Sequence, residues 1–384
     1  MIEKNLKINK NNHFTISQVL YMIAVVLNIF LRSMFHLGSI GIYLSYVPLV
    51  ILLLISLWNN FNYKWLLWLI IGIIISIGTK RLQCLFMIFL IFASRDINLR
   101  EILKPIVVII SVCLLIIYLA TLVGIIPNLV LVRNGIERMA MGTQFPLVFS
   151  TYVLYACAYL TLIYYNSHPI KVSVLLFLIV IILNKLTNSR NDELCILLLI
   201  LVIGINKLDL RIKKPFFLIS YIITFILILF SIFVTQILPY TSNIYAFMDK
   251  LLSGRLNLQY ILFSYYSPKL FGQNIPQQGL GGEQQVFNYF YIDNSYARIL
   301  FMYGIIFFLF LLVTFGISIY KYYISRVYML SFVLLILLLS GISADSLSLL
   351  TQNILVIPLF FIKVSGHKSY TLTLQSRLRK KKKL

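Results

Sequence analysis

Charge is what this chain has least of. Only 11% of its 384 residues are Asp, Glu, Lys or Arg, whereas 60% are hydrophobic and the mean hydropathy is +0.94. That leaves too little polar surface to coat a soluble globule, so a soluble enzyme and a disordered hub are both excluded. Cysteines are few: Cys84, Cys113, Cys157 and Cys195 each lie in an apolar stretch and share no C-x-x-C or Cys/His spacing. Neither a disulfide framework nor a zinc site is expected. The histidines, His13, His36, His168 and His367, are scattered, and there is no G-x-x-x-x-G-K-[ST] loop and no Asp-x-Asp pair on the predicted outer side. ATP-driven or metal-dependent chemistry is therefore not expected, and no cofactor is. Acids are scarce beside bases, 11 against 33 Lys and Arg, for a formal charge of +22. In a soluble protein that would suggest nucleic acid; here no nucleic acid partner is expected, and the question becomes which side of a membrane holds the charge.

What the chain does have is a succession of unbroken apolar stretches. They do not alternate at every second position as lipid-facing strands must, which rules out a β-barrel and leaves an all-α fold. A hydrocarbon core of ~30 Å takes about 20 apolar residues per helix. Twelve spans are expected, at 14–35, 38–58, 63–79, 82–94, 105–125, 146–165, 170–187, 191–206, 215–238, 296–318, 327–343 and 347–364, forming one polytopic transmembrane bundle over residues 1–364. The first stretch has no small-residue cleavage site and runs at once into the second, so it reads as a retained span. With the N-terminus inside, 22 of the 33 basic residues fall on the inner side, which supports two cytoplasmic termini. The tail 365–384, which ends in Arg377, Arg379 and four consecutive lysines, is expected to lie against an anionic inner leaflet, each cation contributing about 1 kcal/mol. Seven acids sort to the outer side: Glu137, Asp192, Glu193, Asp249, Glu283, Asp293 and Asp345.

Two outer links are long, 126–145 and 239–295. The second holds Ser253-Gly254-Arg255, an amphipathic run from Leu256 to Tyr266, a Gly/Pro/Gln-rich stretch through Gly282, and the aromatic patch Phe287, Tyr289, Phe290 and Tyr291 ahead of Asp293-Asn294. It reads as a short helix along the membrane surface, a flexible lid and a re-entry point.

A charge at the hydrocarbon boundary is costly and needs a partner, which makes the outer arginines informative. Arg133 and Arg138 lie in the first long link, Arg190 follows Thr187-Asn188-Ser189, Arg255 follows a glycine, and Arg298 opens the tenth span. A guanidinium stays protonated and its fork matches phosphate oxygens, so several converging on one cleft would receive a pyrophosphate. Singly, each reads equally as a snorkelling side chain or a partner of Glu137, Asp192 or Glu193. Asp293 sits among aromatic residues that could raise its pKa toward a value suited to proton abstraction. By position, Asp293 or Asn294 equally caps the tenth helix. Tyr265, Tyr266, Tyr289, Tyr291 and Asn294 are candidate glycan contacts, the rings being suited to stacking on sugars and equally to lid packing or interfacial anchoring. Tyr296, Leu300 and Gly304, spaced by four, are expected to pack one helix face against a neighbour. Arg32, Lys80, Arg81 and Lys185 lie near span ends, within reach of headgroups, and the spans hold almost no acids, so a proton-coupled transporter would lack its relay.

In their order and sidedness these motifs resemble those of the Wzy-type O-antigen and capsular polysaccharide polymerases, within the group that includes the O-antigen ligases. The resemblance lies in Arg133 and Arg138 leading to Gly142-Thr143-Gln144-Phe145-Pro146, in Asn188-Ser189-Arg190, in Ser253-Gly254-Arg255, in Leu270-Phe271-Gly272, and in Asp293-Asn294-x-Tyr296-x-x-x-Leu300-x-x-x-Gly304. Where the family's first loop often continues with a His-Pro-Asn-like sequence, this chain reads Thr143-Gln144-Phe145-Pro146. The resemblance implies a GT-C-like, metal-independent glycosyltransferase in a bacterial cytoplasmic membrane, joining oligosaccharide repeat units carried on undecaprenyl pyrophosphate at the outer face. It implies a lipid-linked oligosaccharide substrate, membrane lipids as surroundings, and a flippase and a chain-length regulator as partners. The arginines would hold pyrophosphate, and Asp293 takes the loop-exit position where related ligases carry a catalytic histidine. A flippase for the same lipid, or a ligase-like transferase, is the alternative reading.

Overall fold

In hydrocarbon an unbroken apolar run can satisfy its own backbone only as a helix, and each of the twelve apolar stretches falls on helical backbone. The computed structural model describes residues 14–35, 41, 43–60, 63–95, 97, 99–133, 135–208, 210–279 and 288–362. The tail 365–384, Glu283 and Phe287 lie outside the described residues. Helices α1 (Ile16–Leu31), α2 (Val47–Asn60), α3 (Tyr63–Thr79), α4 (Gln83–Ser94) and α5 (Leu99–Leu122) precede a two-stranded hairpin, β1 (Val130–Arg133) and β2 (Ile136–Met139). Then come α6 (Pro146–Tyr164), α7 (Pro169–Leu186), α8 (Arg190–Ile205), α9 (Leu210–Ile237), α10 (Asn243–Leu251) and α11 (Arg255–Tyr265). The chain closes with α12 (Ser295–Arg298), a π turn (Ile299–Tyr303), α13 (Ile305–Ile324), α14 (Tyr328–Ser340), a 3-10 turn (Asp345–Leu347) and α15 (Leu350–Val356), which runs into a second 3-10 turn (Ile357–Phe361).

Among the described residues, five segments are long and apolar enough to cross a membrane, in α5, α6, α7, α9 and α13. This is the architecture of an all-α membrane protein. Other apolar helices are shorter; α4 has 12 residues, about 18 Å at 1.5 Å per residue, less than a hydrocarbon core. Their place in the bundle follows from sequence. α4 and α14 are apolar on all sides and buried almost throughout, whereas α7 buries only Val172, Leu176 and Leu183.

Successive links gather at opposite ends of the bundle. At one end, Met34 donates its N–H to the Gly142 carbonyl (2.8 Å), Gln144 to that of Arg32 (2.9 Å), and Ser295 to that of Gly341 (3.0 Å). At the other, Gln18 Nε2 donates to Glu101 Oε2 (2.8 Å), Lys213 Nζ lies 5.6 Å from the Tyr328 ring centre, and the Tyr322 hydroxyl reaches the Ile362 carbonyl (3.2 Å).

The tenth apolar stretch departs from expectation, because it is not one helix. α12 is a single turn, the π turn follows, and Gly304 (φ 95°) breaks the run before α13. Residues 269–273 thread against this break: Gln273 N–H donates to the Met302 carbonyl (3.1 Å), and the N–H groups of Ile305 and Ile306 donate to Lys269 and Leu270 (3.0 and 3.3 Å). A Cβ on Gly272 would collide with the Met302 carbonyl, and one on Gly304 with the Gly272 backbone. Gly304 thus serves close backbone approach, in place of the expected helix face shared with Tyr296 and Leu300. Unwound backbone is tolerated here because other parts of the protein cover it.

Candidate active site

The long link 126–145 owes its purpose to the hairpin. Its register pairs Leu131 with Arg138 and Arg133 with Ile136, so period-2 alternation puts Arg133 and Arg138 on one face and Glu137 on the other. Both arginines reach the turn between α7 and α8. Arg133 Nη2 donates to the carbonyl and Oδ1 of Asn188, each at 3.0 Å, and Nη1 meets Ser253 Oγ at 3.5 Å. Arg138 Nε donates to the Thr187 carbonyl (2.7 Å), and Nη2 meets Ser189 Oγ at 3.5 Å. Asn188 and Ser253 both hold positive φ, which turns their backbones toward the hairpin. Three motifs far apart in sequence, the hairpin arginines, Asn188-Ser189-Arg190 and Ser253-Gly254-Arg255, therefore meet.

The charges at this meeting point are predominantly of one sign. Arg190 is exposed at the start of α8, and together with Arg255 it repels Arg133, whose pKa burial lowers first. Burial, then Arg133 and Arg255, pull the Arg138 guanidinium down to about 10, still cationic at neutral pH; Asp192 and Glu193 act in the opposite sense. None of the acids proposed from sequence as partners makes an ion pair with these arginines among the described residues. Glu137 points away. Asp192 and Glu193 are buried in the first turn of α8, where Asp192 Oδ2 accepts from Ser150 Oγ (2.5 Å) and Thr151 Oγ1 (3.2 Å), and Glu193 Oε2 accepts from Asn184 (2.9 Å). The expectation of almost no acids within the bundle is corrected accordingly: hydroxyls and an amide make these two tolerable.

Arg255 carries the cluster to Asp293. Gly254, at φ 83°, turns the chain into α11 so that Arg255 Nε donates to Asp293 Oδ2 at 3.1 Å while Nη1 reaches the Ser343 carbonyl. Asp293 is not the helix cap. Asn294 is, its Oδ1 accepting from Tyr296 N and Ala297 N (2.9 and 3.1 Å) while Nδ2 donates to Ser231. With both ends of its amide engaged and 8% of its surface exposed, Asn294 holds the backbone in place and has no group left over as a glycan contact. The side chain of Asp293 is free of capping duty and 17% exposed. Burial raises its pKa above the ordinary aspartate range, Arg255 opposes that, and Asp345 adds to it. It opens on a cleft of about 40 Å³ whose lining includes Arg255, Tyr291, Asn294 and Ser343 with leucine and isoleucine side chains between them.

Behind the cleft lies an acid that sequence reading left without a role. Asp345 Oδ2 accepts from Arg298 Nη1 (2.8 Å) and from the Tyr291 hydroxyl, and that hydroxyl also accepts from Arg298 (2.9 Å). The Arg298 guanidinium carbon lies 5.0 Å from the Tyr291 ring centre. Arg298 is thus deeply buried in its own ion pair, apart from the hairpin arginines. Burial and then Asp345 push the Tyr291 hydroxyl up to about 12, so it stays protonated. Burial and then Asp293 push Tyr289 up as well. Tyr265 is 78% exposed, and Tyr266 packs on the core. Arg32 and Arg81, expected at headgroups, belong here too. Arg32 donates to Thr351 Oγ1 and Gln144 Oε1 (each 2.9 Å), and Arg81 is within electrostatic reach of Arg298, Tyr303 and Tyr291. The one available sequence signal for Asp345 was a single acid in a short link between two apolar stretches.

No known protein family, curated protein or solved structure matches this chain.

Proposed function

We propose that this protein is a polysaccharide polymerase of the cytoplasmic membrane, a twelve-span glycosyltransferase whose hairpin end faces outward. It joins oligosaccharide repeat units carried on undecaprenyl pyrophosphate. The observation that supports this best is the convergence of Arg133, Arg138, Arg190 and Arg255, from three separate links, beside the half-buried carboxylate of Asp293. In the proposed reaction a sugar hydroxyl of one lipid-linked unit attacks the anomeric carbon of another. The new C–O bond forms as the bond to the pyrophosphate oxygen breaks, and the hydroxyl proton passes to Asp293. The leaving lipid pyrophosphate gains negative charge, which the fixed guanidinium groups stabilise in an apolar-walled site, as a divalent metal does elsewhere.

The resting ion pair fits this chemistry. Arg255 now holds Asp293, and a pyrophosphate would compete for the same guanidinium. Its arrival would leave Asp293 without its nearest countercharge and make it a stronger base, so the base is released when the leaving group is in place. A cleft of about 40 Å³ has room for a water and not for a sugar ring, so substrate entry requires some of the residues around it to move. Asn243–Leu251 suits such movement at a membrane surface, with Ile244, Phe247 and Leu251 exposed along one face.

The test is reconstitution with lipid-linked repeat units and EDTA. A ladder of lipid-linked products is expected from the wild type and none from D293N or R255A. Transfer of a single unit to another acceptor would indicate a ligase, and movement of the substrate across the bilayer without new glycosidic bonds would indicate a flippase.

A further inference from the structure

Two side chains beside the Asp293 cleft share one anchor on α9. Gln259 Nε2 donates to the Ser231 and Ile232 carbonyls (2.7 and 2.6 Å), and Asn294 Nδ2 donates to the Ser231 carbonyl and Oγ (3.3 and 3.1 Å). The Ser231 hydroxyl donates in turn to the Ile228 carbonyl (2.8 Å). On α11, Gln259 follows Arg255 by four residues and lies one turn along the same face, while Asn294 is the next residue after Asp293. Both halves of the 3.1 Å Arg255–Asp293 ion pair are therefore tied to one carbonyl of a third element. Ser231, Arg255, Gln259, Asp293 and Asn294 all line the same cleft. Gln259 is out of keeping with its neighbours: it is 9% exposed and stands among Leu256, Leu258 and Leu262, which also line the cleft. An apolar side chain would complete that face. Burying an amide costs free energy that its hydrogen bonds must offset, and what the two carbonyls add is direction: they fix Nε2 as the end facing α9, and so a single placement of α11.

We propose that Gln259 is a positioning residue: anchored with Asn294 on the Ser231 carbonyl, it holds Arg255 against Asp293, so that the guanidinium meets the leaving pyrophosphate and the carboxylate meets the attacking hydroxyl in one fixed relation. The proposal rests on the polymerase reading for what the pair does, and on the hydrogen bonds alone for how the pair is held. Precision of this kind matters to rate, because a displacement of about 1 Å at reacting groups costs roughly 10²-fold. The groups that face Asp293 are Arg255 from α11, Asp345 from the 3-10 turn, Arg298 from α12 and Tyr289 from the preceding link. Of these only Arg255 sits on the helix that Gln259 pins. Arg255 favours the carboxylate form of Asp293, so releasing it should raise the pH at which Asp293 takes up its proton.

The probe is dicyclohexylcarbodiimide, which reacts with protonated carboxyls in apolar surroundings, applied to the purified full chain in detergent across a pH series, with modification of Asp293 read by mass spectrometry. The pH of half-maximal labelling should rise by about one unit in Q259L. It should stay at the wild-type value in L258A, which opens the cleft without touching the anchor. An unmoved midpoint in Q259L, or an equal rise in L258A, overturns the proposal. If Q259L is poorly helical by circular dichroism, N294S decides, because serine keeps the helix cap and loses the amide donor to Ser231. The same rise there supports the anchor, and none overturns it. In the polymerisation assay Q259L should lose roughly 10²-fold in kcat with KM held within about twofold. A loss confined to KM would make Gln259 a substrate contact and overturn its positioning role. A raised midpoint in Q259L, with no polymer from the wild type, would uphold the anchor and overturn the polymerase reading alone.

Discussion

At the end of the bundle that carries the hairpin, Arg133, Arg138, Arg255 and Arg298 each bind a carbonyl, amide, hydroxyl or carboxylate on another element, whereas at the opposite end Lys171, Lys207, Arg211 and Lys214 stand exposed at helix termini. The kind of cation differs too. Seven of the eleven basic residues sorted to the hairpin end are arginine, against six of 22 sorted to the other. Lysine is a well-hydrated point charge that serves topology from solvent, while the guanidinium fork tolerates partial burial and recognises oxygen pairs. Charge at one end therefore lies mostly in solvent, the buried Lys213 on the Asn206 carbonyl excepted, and at the other it gathers beside the Asp293 cleft. Both ion pairs among the described residues lie at the arginine end.

Changes at the arginine end should have the larger consequences. D293N removes the proton acceptor and keeps the shape, so polymer formation should fall about 10³-fold in a reconstituted assay with helical content unchanged. D345A leaves Arg298 buried and unpaired; thermal unfolding in detergent should report a loss of about 3–5 kcal/mol. R138A, which unties β2 from the α7–α8 turn and removes a charge from the leaving group, should cost roughly 10²–10³-fold in turnover. The pH profile follows from Asp293. Its raised pKa means the carboxylate takes up its proton at a higher pH than the ~3.9 of a solvated aspartate, so the acid limb of kcat/KM should lie above that value and activity should fall as pH drops through it. A limb at or below 4 would contradict the assignment. Smallest of all, K207Q and K214Q at the opposite end should change stability by less than about 0.5 kcal/mol and leave in vitro polymerisation unchanged. A tenfold loss there would break the contrast between the ends.

How far the sequence could be read follows from the same contrast. Helix formation is a local property of apolar runs, so the helical character of these stretches was legible, and five helices among the described residues are long and apolar enough to cross a membrane. The convergence of arginines was legible as a possibility because each sat in a link expected on one side. Their partners were not. Arg255 meets Asp293 38 residues on, Arg298 meets Asp345 47 residues on, and Arg32 meets Thr351 319 residues on, and no periodicity encodes such pairs. For the same reason Glu137, the nearest acid in the chain, stood with Asp192 and Glu193 among the partners open to the hairpin arginines, and the strand register turns it to the opposite face. The break at Gly304 escaped because hydropathy sees composition alone. It is explained by Gly272, 32 positions earlier, whose backbone needs the space.

The proposed function depends on which way the arginine end faces. The four cysteines are buried, so a single introduced thiol can be read by a membrane-impermeant maleimide in intact cells. R190C should label from outside without permeabilisation, with lipid-linked oligosaccharide slowing the labelling, and K207C should label only after the membrane is opened. Labelling of K207C from outside, with R190C silent until permeabilisation, would place the arginine cluster on the cytoplasmic side and contradict the proposed function.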